Sequence, residues 1–193
     1  MNRSPDLVLA SASPRRRQLL AQLGVRFVRL DTDTVETPRA GETPEDFVLR
    51  LAGEKAVAGW CRHGSGAPAL GADTVVVLDG RILGKPASRG EAAGMLRSLS
   101  GRCHEVLSAV AVARGEDAVL RRLNRTAVHF AELPADWIRA YCATDEPMDK
   151  AGAYAIQGQA GRYIVRIEGS YSSVMGLPLE ETRDLLRQVG VLT

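Results

Sequence analysis

Ala69-Leu70-Gly71-Ala72-Asp73-Thr74-Val75-Val76-Val77-Leu78, followed by Asp79-Gly80, decides how this chain folds. The ten residues are apolar and valine-rich, which predicts a strand, and Asp-Gly predicts a tight turn that returns the chain through Ile82-Leu83. One residue breaks the pattern. Asp73 is an acid inside an otherwise apolar strand, and burying it carries a cost that a partner must offset. An acid so placed binds a metal, takes a proton, caps a turn or pairs with a cation, and its immediate neighbours do not choose among these.

Upstream, Leu7 to Ala10 predicts a short buried strand. Ser13 then has the chemistry of a helix N-cap, with Pro14 at the first helical position and Arg15 to Leu23 as the helix. Val25 to Leu30 predicts a second strand, and a polar loop follows from Asp31 to Gly41. Thr43-Pro44-Glu45-Asp46 opens a further helix, with Phe47, Leu51, Val57 and Trp60 as its apolar stripe. Downstream, helices are expected over Arg89–Ser100, Asp136–Ala143 and Leu179–Val189, and strands over Val106–Val112, Ala118–Leu133 and Arg162–Ile167. Hairpins and helices interleave without a strict β-α-β rhythm, so the expected class is mixed α/β, a mixed sheet flanked by helices.

With 193 residues, 45% of them hydrophobic, the chain can bury a real core as one domain over residues 1–193, or as two small lobes sharing a sheet. A net charge of only +2 gives no global reason to expect nucleic acid or a membrane surface as partner. Cys61, Cys103 and Cys142 are odd in number, far apart and without a C-x-x-C pair, which argues against disulfides or structural zinc and fits a reducing compartment. The apolar run within Met1–Ala10 is too short for a signal peptide, and no later stretch is long enough to span a bilayer. A cytoplasmic location is therefore expected.

Several segments can carry chemistry. Ser11-Ala12-Ser13-Pro14-Arg15-Arg16-Arg17 sets two hydroxyls and three guanidinium groups at a helix N-terminus, a natural anion site, or a plain cap followed by solvated arginines. A Gly-x-x-x-x-Gly-Lys-Ser/Thr loop is missing, which excludes a P-loop enzyme. Lys85 in Gly84-Lys85-Pro86 follows the hairpin that begins at Asp73. Lys55, in mid-helix, and Glu36, in the polar loop, are surface residues by default. Glu146 to Gly158 is rich in small residues that let a backbone approach a ligand, or simply make a tight loop. His63, His104 and His129 lack metal-ligand spacing, and no Gly-x-Ser-x-Gly elbow supports covalent hydrolysis.

In order and spacing, Leu9 to Arg16, Gly71 to Val76, Gly84-Lys85-Pro86, Glu146 to Gly158 and Gly169-Ser170-Tyr171-Ser172-Ser173-Val174-Met175-Gly176-Leu177-Pro178-Leu179 resemble the Maf family, over nearly the whole chain. The resemblance implies a fold similar to inosine triphosphate pyrophosphatase, an elongated mixed sheet with two lobes and a central cleft. It implies nucleotide pyrophosphatase activity, a homodimer, and a historical link to inhibition of septum formation. Asp149-Lys150-Ala151-Gly152-Ala153-Tyr154 with Ile156-Gln157-Gly158 looks like the branch acting on dTTP and UTP, rather than on 7-methyl-GTP. By the same resemblance Asp73 is the proton acceptor, Arg15, Thr74 and Gln157 set substrate choice, and Glu36, Lys55 and Lys85 are polar cleft residues. Cys103 departs from the family pattern, where Thr is usual.

The chemistry expected is hydrolysis between the α- and β-phosphates of a nucleoside triphosphate. A divalent cation, Mg²⁺ or Mn²⁺, would bridge phosphate oxygens, and Asp73 with Glu36 would hold it or accept the water's proton. Arg15, Lys55 and Lys85 would neutralise the leaving pyrophosphate, and Ser11 and Ser13 would fix its tail at the helix N-terminus. Gln157 offers a donor and an acceptor side by side, matching uracil O4 and N3–H, although a flipped amide matches cytosine equally. The alternatives are a regulator of cell division that binds nucleotides or a protein partner without turnover, a pyrophosphatase for 7-methyl-GTP or modified pyrimidine triphosphates, and, resting only on Arg15 to Arg17 and disfavoured by the modest net charge, a nucleic-acid-binding module.

Overall fold

A computed structural model describes residues 5–193. The expectation of no signal peptide rests partly on Met1 to Ser4, which lie outside the described residues. The strand at Ala69–Leu78 forms with those bounds (β3). Asp79 (φ 51°) and Gly80 (φ 74°) then both take the left-handed region, the geometry of a two-residue hairpin turn, and β4 (Arg81–Leu83) returns antiparallel with Val76 opposite Leu83. β1 (Leu7–Ala10) runs parallel to β2 (Phe27–Leu30) on one side and to β3 on the other. With β5 (Cys103–Ala113), β6 (Val119–Phe130) and β7 (Ile164–Glu168) they make a seven-stranded mixed sheet ordered β2-β1-β3-β5-β6-β7, with β4 off this path on β3.

The chain divides into two compact units; three of the four divisions fall inside β3, β5 and β6, and the fourth follows Met175. The first holds the chain up to Asp73, Ser108–Asn124 and Gly176–Thr193. Its helix α1 (Pro14–Ala21) is capped as expected, with Ser13 Oγ accepting from the Arg16 amide. α2 (Pro44–His63) opens on Thr43, whose hydroxyl accepts from the Asp46 amide, and stops at Gly64 in the left-handed region. The buried stripe of α2 is Phe47, Leu51, Lys55 and Gly59 with Val48, Ala52 and Ala56, while Val57 and Trp60 are only half-buried. Two glycines set how closely α2 lies on the sheet. A Cβ on Gly59 would come within 2.7 Å of Ala10 Cβ, and one on Gly71 would strike the α2 backbone at Ala52 O and Ala56 N. α6 (Leu179–Gln188) closes this unit with Leu185 and Leu186 buried.

The second unit, Thr74–Leu107 and Arg125–Met175, has its own core. Val76 and Leu78 of β3, Val106 of β5 and Phe130 of β6 pack with Leu96 and Leu99 of α3 (Arg89–Leu99) and Ile138 and Tyr141 of α4 (Ala135–Cys142). β5 starts three residues before the expected strand because Cys103 and Glu105 are exposed while His104 is buried, an alternation that conceals the strand in a window scanned for apolar runs. α5 (Tyr171–Val174) was not anticipated; it is one turn, capped by Ser170 Oγ accepting from the Ser173 amide. No helix among the described residues is long and apolar enough to cross a membrane.

Candidate active site

Three facts of local geometry place Asp73. β1 pairs with β3 only at Ala69 and Leu70, and β4 begins pairing at Val76, so Asp73 sits between the two paired stretches. It also lies just past the carboxyl end of β1, where the chain leaves Ala10 for the Ser11–Ser13 turn; in sheets of this type ligands bind in that position. Side chains alternate along a strand, so Asp73 shares a face with Gly71, the face covered by α2. Because Gly71 lets α2 approach, Lys55 reaches the acid.

The result is a three-residue ion cluster. Lys55 Nζ donates to Asp73 Oδ1 at 2.7 Å and to Glu36 Oε1 at 2.6 Å. Lys55 and Asp73 are each 7% exposed, whereas the Glu36 side chain is 44% exposed. The default assignment of Lys55 to the surface is therefore corrected: position 55 falls on the i, i+4 row of Phe47 and Leu51, and the row faces inward. Burial raises the Asp73 carboxyl above its ordinary range, against the ammonium of Lys55 and the guanidinium of Arg16, which pull it down; Glu36 adds to the rise.

Arg16 is the residue that the sequence did not single out. Its Nε donates to Gly176 O at 2.8 Å; burial lowers its pKa from the ordinary guanidinium value, and Asp73 and Glu36 work in the opposite direction. Three successive arginines look alike in sequence, but a helix turns about 100° per residue, and only the fold decides which side chain meets the acids. Arg15, in the first turn of α1, is half-buried, and Arg17 is exposed. Ser11 is buried, with its hydroxyl accepting from the Ser13 amide at 3.2 Å. In the first unit Arg16, Glu36, Lys55 and Asp73 thus interact, and Ser11, Ser13 and Arg15 lie on the turn and first helical turn that carry Arg16.

Thr74, Lys85 and Gln157 belong to the second unit. Thr74 is half-buried on the opposite face of β3 from Asp73. Lys85 is exposed, two residues past the Val76–Leu83 pair, so the hairpin register carries the chain there back toward Thr74. Gln157 is exposed in the loop between Ala155 and Gln159.

Asp73 and Glu36 offer hard carboxylate oxygens to one point, which the Lys55 ammonium fills. Among the described residues no group of three or more His, Cys, Asp and Glu is placed to hold a metal ion. Mg²⁺ is commonly held by one or two carboxylates with phosphate oxygens completing its shell. Asp73 and Glu36 would fit that role where phosphate oxygens complete the shell and the Lys55 ammonium gives up the point between them.

Fold and side-chain geometry together define a mixed α/β protein with a buried lysine–carboxylate cluster beside Arg16 of a helix N-terminus. Residues 6–189 match the model of the family described as Maf-like protein, and the chain belongs to that family. It is 50% identical to the dTTP/UTP pyrophosphatase of Shewanella sp. (strain MR-7), over 96% of this chain and 99% of the relative. To that of Methylobacillus flagellatus it is 54% identical over 96% and 93%, and to that of Escherichia coli (strain K12) 49% over 97% and 94%. Among solved structures, the nucleoside-triphosphatase, dITP/XTP pyrophosphatase, of Mycobacterium abscessus is similar at 20% identity and a TM-score of 0.45, over 95% of this chain and 93% of that one.

Proposed function

We propose that this protein is a nucleoside triphosphate pyrophosphatase that hydrolyses dTTP and UTP to the nucleoside monophosphate and pyrophosphate. The observation that carries this reading is the buried pair of Lys55 and Asp73, a carboxyl that burial raises above its ordinary range with a cation beside it. The names of the full-length relatives at about 50% identity supply the substrate class.

In this reading Asp73 accepts a proton from the attacking water as its oxygen bonds to phosphorus, and the anhydride P–O bond breaks to release pyrophosphate. Oδ1 is engaged by Lys55, which leaves Oδ2 for the proton. Lys55 and Arg16 offset the negative charge that grows on the phosphates, and Arg15 with the Ser11–Ser13 turn receives the polyphosphate at the N-terminus of α1. Asp73 and Glu36 would hold Mg²⁺ or Mn²⁺, which supplies charge neutralisation and acidifies water when bound with substrate. Thr74 and Lys85 are assigned to substrate contacts, and Gln157 to the pyrimidine edge. A homodimer in the cytoplasm, acting as one functional domain over residues 1–193, completes the proposal; sedimentation of the purified chain tests the dimer.

Pyrophosphate release from dTTP, UTP, CTP, GTP and 7-methyl-GTP, with and without Mg²⁺ or Mn²⁺, tests the activity. Turnover of dTTP and UTP that requires the cation is expected. No release from any nucleotide would leave a binding regulator, and preference for 7-methyl-GTP would move the substrate.

A further inference from the structure

We infer that Glu146 is a positioning residue for Gln157, holding the loop from which its amide meets the pyrimidine; this rests on the reading of Gln157 as the base-contacting residue. Gln157 stands exposed in a loop, and an amide on a loose loop satisfies uracil and cytosine equally. A held backbone fixes where that amide meets the base, so that the groups around the base can select one orientation of it. Glu146 holds that backbone.

Glu146 Oε1 accepts from the Gln159 amide at 3.1 Å and from the Tyr141 hydroxyl at 2.9 Å. That hydroxyl is also hydrogen-bonded by the Ala155 backbone, so the carboxylate and the phenol together tie down both flanks of Gln157. Gly158 confirms how tight the fit is: a Cβ there would collide with the Glu146 carboxylate, and one on Gly161 would strike the Ile156 carbonyl. Within the loop, the Gly158 amide donates to Ala155 O at 3.0 Å and the Gly161 amide to Gly158 O at 3.1 Å. The anchor itself is rigid. Tyr141 is 1% exposed on α4 and stacks on Trp137 at 4.8 Å and 13°. Glu146 is oriented from behind by Thr144, whose hydroxyl accepts from the Glu146 amide at 3.3 Å and donates to Tyr141 O at 2.7 Å. A charged acceptor shared by a backbone amide and a buried phenol exceeds what a tight turn needs, since the glycines alone permit the turn.

Three variants test this: Glu146→Ala, Glu146→Gln, which keeps an acceptor oxygen, and Tyr141→Phe, which keeps the stacked ring. The first readout is the ratio of kcat/KM for UTP to that for CTP. Glu146→Ala should lower it by about fivefold to tenfold, Tyr141→Phe by less, and Glu146→Gln should restore most of it. A merely structural role would lower both nucleotides together and leave the ratio fixed. The second readout is hydrogen exchange at the Gln159 amide, which should speed up in Glu146→Ala while α3 and α4 stay protected. Unchanged exchange, or a loosened loop with an unchanged ratio, would overturn the inference. Wild-type protein that releases no pyrophosphate would overturn the proposed function instead, and the exchange experiment would still decide whether Glu146 holds the loop.

Discussion

Lys55 and Asp73 meet at 2.7 Å from neighbouring elements, each less than a tenth exposed, so neither can lose the other without leaving a charge in a poorly solvated place. Breaking such a pair from one side is costly, whereas neutralising both sides often is not. Lys55→Met should therefore lower unfolding stability by about 3 kcal/mol, and Lys55→Met with Asp73→Asn should recover most of it. Urea unfolding of the two single variants and the double variant measures the coupling. Additive losses would mean that the contact is energetically idle. Asp73→Asn alone should retain the fold and lose at least about a thousandfold in turnover if it takes the water's proton.

The pH profile follows from the direction of the Asp73 shift. Burial raises its carboxyl, so it is protonated over a wider acidic window than an ordinary aspartate of about 3.9. A protonated Asp73 cannot accept the water's proton, and kcat/KM should fall with decreasing pH on a limb lying above that value. Lys55 pulls the carboxyl down, so Lys55→Met should move the limb of any residual activity to higher pH. A limb moving the other way would remove Asp73 from the role of base. For stability the sign is opposite to that of a surface aspartate. A raised folded value means that the native state holds the proton more tightly, a stabilisation present at low pH and lost as pH rises through it.

His104 makes a second pH prediction, in the second unit. It is 2% exposed, its Nε2 lies 2.8 Å from the Tyr154 hydroxyl, and its Nδ1 has no hydrogen-bond partner among the described residues. The charged ring needs two acceptors and finds one group, so burial lowers its value from 6.5 to about 4. The unfolded chain then binds a proton that the native state refuses. Stability should fall as pH drops from about 6.5 to 4, by about 3 kcal/mol from this residue. His104→Gln should flatten that part of the stability curve; an unchanged curve would assign the acid sensitivity elsewhere.

The strands and caps were legible in the sequence because their signals are local. Ser13 with Pro14 and Thr43 with Pro44 announced two helix starts, and Asp79-Gly80 announced the hairpin; all three form as expected. Lys55 and Arg16 were harder for a shared reason. A lysine in mid-helix and one arginine of three acquire meaning only from what packs against them, and that depends on Gly71 and Gly176, 16 and 160 residues away. The apolar pattern of α2 points through Val57 and Trp60, because a buried lysine does not register as core. The family resemblance named Asp73, Lys55 and Glu36 together; spacing alone could not, because the cluster joins three segments far apart in the chain.

Gly71 links the fold to the chemistry most directly. Gly71→Ala adds a Cβ aimed at Ala52 O and within 2.5 Å of Ala56 N, backbone atoms of α2 that cannot rotate aside. The helix must retreat, and overpacking of this kind costs about 2–3 kcal/mol. The retreat also carries Lys55 away from Asp73, and a misplacement near 1 Å in a positioned charge can cost about a hundredfold in rate. The variant should thus lose activity well beyond its loss of folded protein, measured under conditions where unfolding curves show it fully native. Gly94 is the control: it lies in α3 with nothing within 4 Å of an added Cβ, so Gly94→Ala should raise stability by about 0.5–1 kcal/mol through helix propensity and leave turnover alone. If Gly71→Ala behaved like Gly94→Ala, α2 would be free to move over β3, and the close approach at residue 71 would not be what sets the Lys55–Asp73 contact.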